Sequence, residues 1–483
     1  MTELQIIVAV FISYLFLLFA LALWSSKEST NLQGYFIANK KLPYWVVAFS
    51  TNATGESGWL LLGLTGMAYA VGIHALWVVL GEIIGITLCW VLVAKRLKVA
   101  TDKYDSITIP DYLESRFNDS KHILRSISVF IIISMVLIYI AAQMIAAGKA
   151  FSDFMQISYA NGVILGAIVT SLYTVIGGYK AVAYTDVVQG ILMLLALILL
   201  PVYAITEAGG FSSVIESLGA MDPVLLQPFG VHGWSLAGVI AAASFLAIGI
   251  PFLGVPQVLV RFISIEDESQ VFKAGLISVL CLLFFTLGAV LVGLAGRVLF
   301  PGLADAELIM PTISRELFPP FITGVLVVVL LAAIMSTVDS LLMLVSSAVT
   351  RDFLQKTINL NIPDRKLTLI GQAITFVIGV SAMFIALSES RAIFWLILFS
   401  WSGLGAAFGP IVLCSLLWKK VTLAGAIAGV LGGFLTTILW VVFLKEQVFN
   451  MYEVIPGFSA GMLLIIVVSL VTNKSGENRF GPA

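Results

Sequence analysis

The sequence predicts an all-α integral membrane protein of about 13 transmembrane helices, built on an inverted five-helix repeat with two broken helices. Three observations carry this. Of 483 residues, 60% are hydrophobic and only 11% charged, with a mean hydropathy of +1.06. Apolar runs of about twenty residues, the length that spans a bilayer, follow one another along the chain. Two of those runs are interrupted at bilayer depth by residues that a continuous helix tolerates poorly.

The composition excludes several classes. A soluble globular chain carries about 25% charged residues, so the missing polar surface must be replaced by lipid. With 26 Lys and Arg against 27 Asp and Glu the net charge is −1, which offers nothing to a polyanion such as nucleic acid. Cys89, Cys281 and Cys414 lie inside apolar runs and read as packing residues, with neither disulfide nor metal spacing. His74, His122 and His232 stand at loop edges, and no HExxH or GxSxG motif accompanies them, so no enzyme is expected. No phosphate-binding Gly-x-x-x-x-Gly-Lys loop occurs either, which leaves an ion gradient as the driving force. The opening Met-Thr-Glu lacks a basic leader region, and the apolar stretch Ile6 to Trp24 is long enough to span and remain.

Spans are expected at 5–24, 43–70, 74–94, 126–148, 157–177, 184–206, 233–260, 274–299, 319–347, 367–387, 392–418, 421–444 and 453–471. With the N-terminus outside, only Lys149, Arg297, Arg315, Arg391 and Lys445 of the 26 basic residues fall on the outer side. All others, from Lys27 to Lys474 and Arg479, fall inside, and such a bias orients the chain with its C-terminus in the cytoplasm. The implied organisation is a first helix and inner loop (1–42), a five-helix repeat (43–206), an outer loop (207–232), a second repeat (233–418), and two further helices with a short tail (419–483).

The breaks define the centre. Ser50-Thr51-Asn52-Ala53-Thr54-Gly55-Glu56-Ser57-Gly58 interrupts the second span, and Gly249-Ile250-Pro251-Phe252-Leu253-Gly254-Val255-Pro256 interrupts the seventh. Unpaired backbone cannot face lipid, so both stretches line a cavity or are buried in protein. They lie five spans apart. Because five is odd, the second repeat runs inverted, and paired broken helices in inverted halves point to a secondary transporter with its site at the midplane.

Four carboxyls stand inside the membrane: Glu56, Glu82, Asp186 and Asp339. Each needs a partner or a task, since a charge at that depth costs at least about 2.5–3.5 kcal/mol. Ala333, Ser336, Thr337 and Ser340 repeat at helical spacing on one face. Two hydroxyls and a backbone carbonyl there can serve a hard monovalent cation, completed by carbonyls of the unwound segment near Ala53 to Glu56; close packing of small residues is the competing explanation. For Asp186 the competing explanation is a helix N-cap at the membrane interface. Glu56, Glu82 and Asp339 are candidates for proton or polar coupling.

Together these stretches resemble the solute:sodium symporter family, most closely the bacterial sodium/proline symporters. The resemblance runs through Ser57-Gly58-Trp59-Leu60-Leu61, Thr108-Ile109-Pro110-Asp111-Tyr112, Arg116-Phe117, Ile176-Gly177-Gly178, Thr185-Asp186, Gly254, Pro256, Arg261-Phe262, Met335-Ser336-Thr337, Gly405 to Pro410 and Ile455-Pro456-Gly457-Phe458. It implies a ten-helix core of the amino-acid and sugar symporter type, with one helix before it and two after. It also implies a sodium site from the carbonyls of Ala53, Glu56 and Ala333 and the hydroxyls of Ser336 and Thr337, with Asp186 handling sodium towards the cytoplasm. Ser57, Gly58, Trp59 and Tyr139 match positions near the substrate pocket.

Departures from the resemblance fall on that pocket. Where proline carriers have an aspartate this chain has Gly55, followed by Glu56. Ile248 and Phe252 replace an expected tryptophan and tyrosine, and Gln143 shares the face of Tyr139. The resemblance implies sodium-driven import of a small organic solute, proline or a related amino acid, across a bacterial inner (plasma) membrane. Sodium is then a transported coupling ion, the remaining partners are the solute and the bilayer, and no obligate protein partner is evident. A proton-coupled carrier and a transporter-like sensor are the alternatives.

Overall fold

A computed structural model describes residues 2–27, 31–388 and 393–473. Arg391, Lys474 and Arg479, used above for orientation, lie outside these residues. Among the described residues the secondary structure is helical apart from one isolated bridge between Leu42 and Ile265.

Helix α1 (Glu3–Ser26) is capped by Thr2 and Gln5 in a reciprocal capping box. The second span is α2 (Tyr44–Gly55) followed, after a break, by α3 (59–71). Helix α4 (76–103) follows, α5 (Ile109–Phe117) is short, and α6 (Ile123–Met155) is long. Next come α7 (159–177) and α8 (179–207), then α9 (Phe211–Met221) in the stretch expected to be loop. The seventh span is α10 (Leu236–Leu246), a 3-10 stretch Ala247–Leu253, and α11 (Pro256–Ser264). The order closes with α12 (Val271–Leu299), α13 (Ile309–Leu317), α14 (Pro320–Ser347), α15 (Asp364–Ala386), α16 (Ile393–Leu417), α17 (Leu423–Leu439) and α18 (Val454–Thr472).

Among the described residues eleven helices are long and apolar enough to cross a membrane. Two of these, Trp59–Lys103 and Tyr159–Glu207, run to 45 and 49 residues, about twice what one crossing needs. Each contains a glycine at positive φ, Gly72 (φ 66) and Gly178 (φ 63), where an L side chain is strained. Each of these two long helices therefore changes direction at its glycine, and among the described residues eleven apolar helices stand where the sequence suggested about thirteen spans.

Enclosure sorts the helices into centre and rim. Within their most apolar windows α14 and α16 are 83% buried, against 28% for α1, α15, α17 and α18. The latter therefore face lipid, and α14 forms the axis, packed against α1, α2, α6 and the α7–α8 pair.

Ion pairs gather at the two ends of the bundle. At one, Arg125 is enclosed by Asp111 (2.7 Å), Asp352 (2.6 Å) and Glu114, while Arg351 reaches Asp111 at 3.2 Å. Lys40 and Lys98 share Asp102 at the same end. At the other, Lys149 pairs with Glu307, Arg315 with Asp153, and Lys445 with Glu453. No ion pair among the described residues joins the two sets. Burial alone would raise the Asp111 carboxyl, but Arg351 and Arg125 outweigh it and hold it below the ordinary carboxylate range. Burial is likewise outweighed at Glu114 by Arg125 and His122.

Backbone contact explains how the broken seventh span is held. A Cβ on Gly81 would lie 2.0 Å from the Leu246 carbonyl oxygen, one on Gly85 2.0 Å from that of Gly249, and one on Gly249 1.8 Å from that of Gly81. Only glycines allow α4 and the 3-10 stretch to approach this closely.

Two outcomes follow. Arg125→Ala leaves three carboxyls without their common cation and should cost about 3–5 kcal/mol, read as a lower melting temperature in detergent. Because Asp111 and Glu114 are held low, their stabilisation is present at neutral pH and is lost as pH falls through the carboxylate range, so the gap from wild type should narrow in acid. Gly85→Ala should cost about 1–3 kcal/mol by overpacking; an unchanged melting temperature would contradict the backbone contact.

Candidate functional site

The site begins with the orphan carbonyls of a helix end. Helix α2 stops because Glu56 leaves helical geometry (φ −103, ψ 88), and regular structure resumes at Gly58. The irregular segment is thus narrower than the sequence implied, since Ser50 to Gly55 are helical. A helix end leaves its last carbonyls without intrahelical partners. The Asn52 carbonyl accepts from the Glu56 amide at 2.8 Å. The Ala53 carbonyl accepts from the Ser336 hydroxyl at 2.8 Å, and that of Thr54 from the Thr337 hydroxyl at 3.3 Å. Both hydroxyls also reach the Ala333 carbonyl, at 3.1 and 3.4 Å.

The structure therefore brings Ala53, Ala333, Ser336 and Thr337 together, with Glu56 at the break itself. The Thr54 carbonyl joins them; the sequence signal for it was only that it belongs to the last turn before the break. These are neutral, hard oxygens at the negative end of a helix dipole, a donor set that fits a monovalent cation such as sodium.

Below this lies a second polar layer. Asp186 accepts from Ser50 (2.6 Å), Thr54 (3.3 Å) and Arg261 (3.2 Å). Arg261 also donates to Ser340, and to the Gln257 carbonyl at 2.8 Å. Ser340 and Thr54 share a hydrogen bond of 2.9 Å. Asp339 accepts from Tyr173 at 2.7 Å and from Ser340 at 3.2 Å. The helix-cap explanation for Asp186 is corrected: α8 begins two turns earlier, at the Gly178 kink, and Asp186 is fully buried within it. Arg261 was assigned to an inner loop, yet is 1% exposed in α11. Its only sequence signal was membership of the Arg261-Phe262 match.

The third group surrounds the break. Gly55, Trp59, Glu82, Tyr139, Ile248 and Trp401 line a cavity with room for about one water. Trp59 Nε1 donates to Glu82 at 3.3 Å, and the Gly58 amide to Gln143 Oε1 at 3.1 Å. Trp401, missed in the sequence because it sits in an ordinary apolar run, donates at 3.0 Å to the Ile248 carbonyl, whose 3-10 partner position is Pro251 and has no N–H. Phe252 packs edge-on to Trp401, and a Cβ on Gly55 would stand 3.1 Å from its ring. An aspartate at position 55 would have to displace that ring, so Gly55 and Phe252 act as a matched pair. Glu56 is wholly buried, and neither carboxyl oxygen has a hydrogen-bond partner among the described residues. Glu56 and Glu82 are near enough to feel each other's charge, a proximity the sequence could not reveal.

Residues 35–433 match the profile of the Sodium:solute symporter family. The chain belongs to that family. It is 35% identical to the osmoregulated proline transporter OpuE of Bacillus subtilis, over 94% of this chain and 92% of the relative. It is 34% identical to a sodium/proline symporter of Staphylococcus aureus, over 97% and 93%. Among solved structures, a Na+-coupled sialic acid symporter in a substrate-bound outward-open state superposes with a TM-score of 0.81 at 19% identity, covering 99% of this chain and 98% of the other. Mhp1, a nucleobase-cation-symport-1 family transporter, superposes at 0.57 with 11% identity, over 93% and 97%. At these identities the two structures speak for the fold, an all-helical symporter core. The protein is a multi-pass membrane symporter with sodium as its coupling ion, transported and not resident.

Replacing Ser336 and Thr337 together with Ala should raise the sodium concentration for half-maximal uptake at least about tenfold, with membrane abundance retained because Ala suits a helix. An unchanged sodium dependence would mean that these hydroxyls only pack the helices.

Proposed function

We propose that this symporter imports proline or a closely related amino acid down the sodium gradient. The observation that carries the reading is the seam at the α2 break, where main-chain carbonyls meet the α14 hydroxyls beside a cavity lined by aromatic and carboxyl side chains. The substrates named for the two curated relatives support the choice of solute.

In this reading sodium is held by the carbonyls of Ala53, Glu56 and Ala333 and the hydroxyls of Ser336 and Thr337. It ties the broken helix to the central one and so sets the shape of the segment Ser57-Gly58-Trp59 against the substrate. Asp186, on the side of the Arg125 cluster, offers the leaving ion a carboxylate, and Arg261 competes for it. Trp59, Tyr139, Gln143, Ile248 and Phe252 shape the solute space, while Asp339 anchors α14 to Tyr173. The end bearing Lys40, Lys98 and Arg125 is the cytoplasmic one and the N-terminus is outside, as the distribution of basic residues favours. The membrane is a bacterial plasma membrane, and transport needs neither enzymatic turnover nor a second protein.

The test is uptake of labelled proline into proteoliposomes, with sodium and proton gradients imposed separately. Accumulation should require inward sodium and collapse with a sodium ionophore. Accumulation driven equally by a proton gradient in sodium-free medium would overturn sodium coupling, and failure of every amino acid to accumulate would overturn the choice of solute.

A further inference from the structure

We propose that Glu82 and Gln143 form the two poles of a zwitterion subsite, Glu82 taking the cationic nitrogen of the substrate and the Gln143 side-chain amide its carboxylate. This rests on the reading of the chain as an amino-acid importer and assigns to particular atoms what that reading leaves open.

Glu82 lies in the second turn of α4, is 2% exposed, and lines the cavity at the break. One of its oxygens accepts from Trp59, and the other, Oε2, has no hydrogen-bond partner among the described residues. Among the described residues the ionisable groups that feel its charge are Glu56, Tyr139 and Tyr452, none of them basic. Lys445, beyond Tyr452, already pairs with Glu453 at 2.7 Å. An ionised carboxyl buried without a cation is costly, so the position suits something that arrives with a positive charge. Sodium already has an oxygen set of its own at the Ser336 seam. The cavity beside Glu82 is walled by Trp59, Tyr139, Ile248, Ile397, Leu398 and Trp401. Such walls offer few oxygens to a metal ion, but aromatic faces and a single acceptor suit an organic ammonium.

Gln143 carries the opposite deficit. It is fully buried on α6, one turn beyond Tyr139. Its Oε1 accepts from the Gly58 amide, which settles the orientation of the amide. That leaves Nε2, a donor with no partner among the described residues. The two poles are tethered by consecutive residues of the break, Gly58 to Gln143 and Trp59 to Glu82, so an orphan acceptor and an orphan donor flank the same backbone segment. A ligand that satisfies both presents N–H donors on a cation at one end and an acceptor oxygen at the other. An α-amino or α-imino acid does this; a sugar or a dicarboxylate does not.

The test uses full-length protein in proteoliposomes with labelled proline under a fixed sodium gradient. In wild type, zwitterionic amino acids should compete, N-acetylproline, which lacks the cationic nitrogen, should compete at least a hundredfold less well, and pyrrolidine, which lacks the carboxylate, should also be weak. Glu82→Gln should raise the KM for proline at least tenfold with little change in half-maximal sodium, Glu82→Asp should recover part of the loss, and Gln143→Leu should raise the KM as well. N-acetylproline competing as well as proline, or Glu82→Gln leaving the KM within twofold of wild type, overturns the assignment while sodium-driven proline uptake stands. If a variant fails to reach the membrane, the wild-type competition series decides alone. Uptake of an uncharged or anionic solute with no amino acid accepted removes the amino-acid reading itself.

Discussion

Everything at the centre of this protein depends on one requirement: a helix that ends inside a membrane must hand its last carbonyls to something other than water. Helix α2 ends at Gly55, and Ser336 and Thr337 of α14 supply the donors, at 2.8 and 3.3 Å. Hydroxyls are well chosen for this. They satisfy carbonyls by donating, yet keep lone pairs that can face a cation, so the seam that stabilises the break has the oxygen chemistry a hard cation requires. The most enclosed helix, α14, is the one that carries these hydroxyls, and its burial against α1, α2, α6, α7 and α8 fixes their positions.

The polar interior is layered, and the layers differ in chemistry. At the seam the oxygens are neutral. One layer towards the basic end, Asp186 and Arg261 neutralise each other and recruit Ser50, Thr54 and Ser340. On the other side of the seam, Glu56 and Glu82 have no such arginine among the described residues, where Trp59 is the one side-chain hydrogen-bond donor to either. A structural ion pair would have been completed within the chain, as it is at Asp186. An acidic pair left incomplete beside a cavity is better suited to ligands that come and go.

Rigidity around this site comes from contacts that admit no side chain. Gly81 and Gly85 meet Leu246 and Gly249 backbone to backbone, which locks α4, and with it Glu82, against the broken seventh span. Trp401 then caps the Ile248 carbonyl that Pro251 leaves without an N–H partner. At the basic end, Arg125 gathers carboxyls from α5 and from the continuation of α14, so the axis helix is tied down there as well as at the seam.

Local chemistry determined much of this from the sequence alone. The apolar runs specified membrane helices, because burial in lipid is decided residue by residue. The grouping of Gly, Pro and Glu marked both breaks, because those residues fail in a lipid-facing helix wherever the chain goes. The spacing of Ala333, Ser336, Thr337 and Ser340 on one face was visible for the same reason. Partnership was not legible. Ser336 and Ala53 are 283 positions apart, and nothing local says that Trp59 reaches Glu82, that Arg261 is buried on Asp186, or that Gly81 meets Gly249. The sequence therefore determined where helices run and where they break, both short-range properties of the chain, whereas only the tertiary structure decided which buried polar atoms are satisfied and which wait for a ligand, because that depends on distances between helices far apart in sequence.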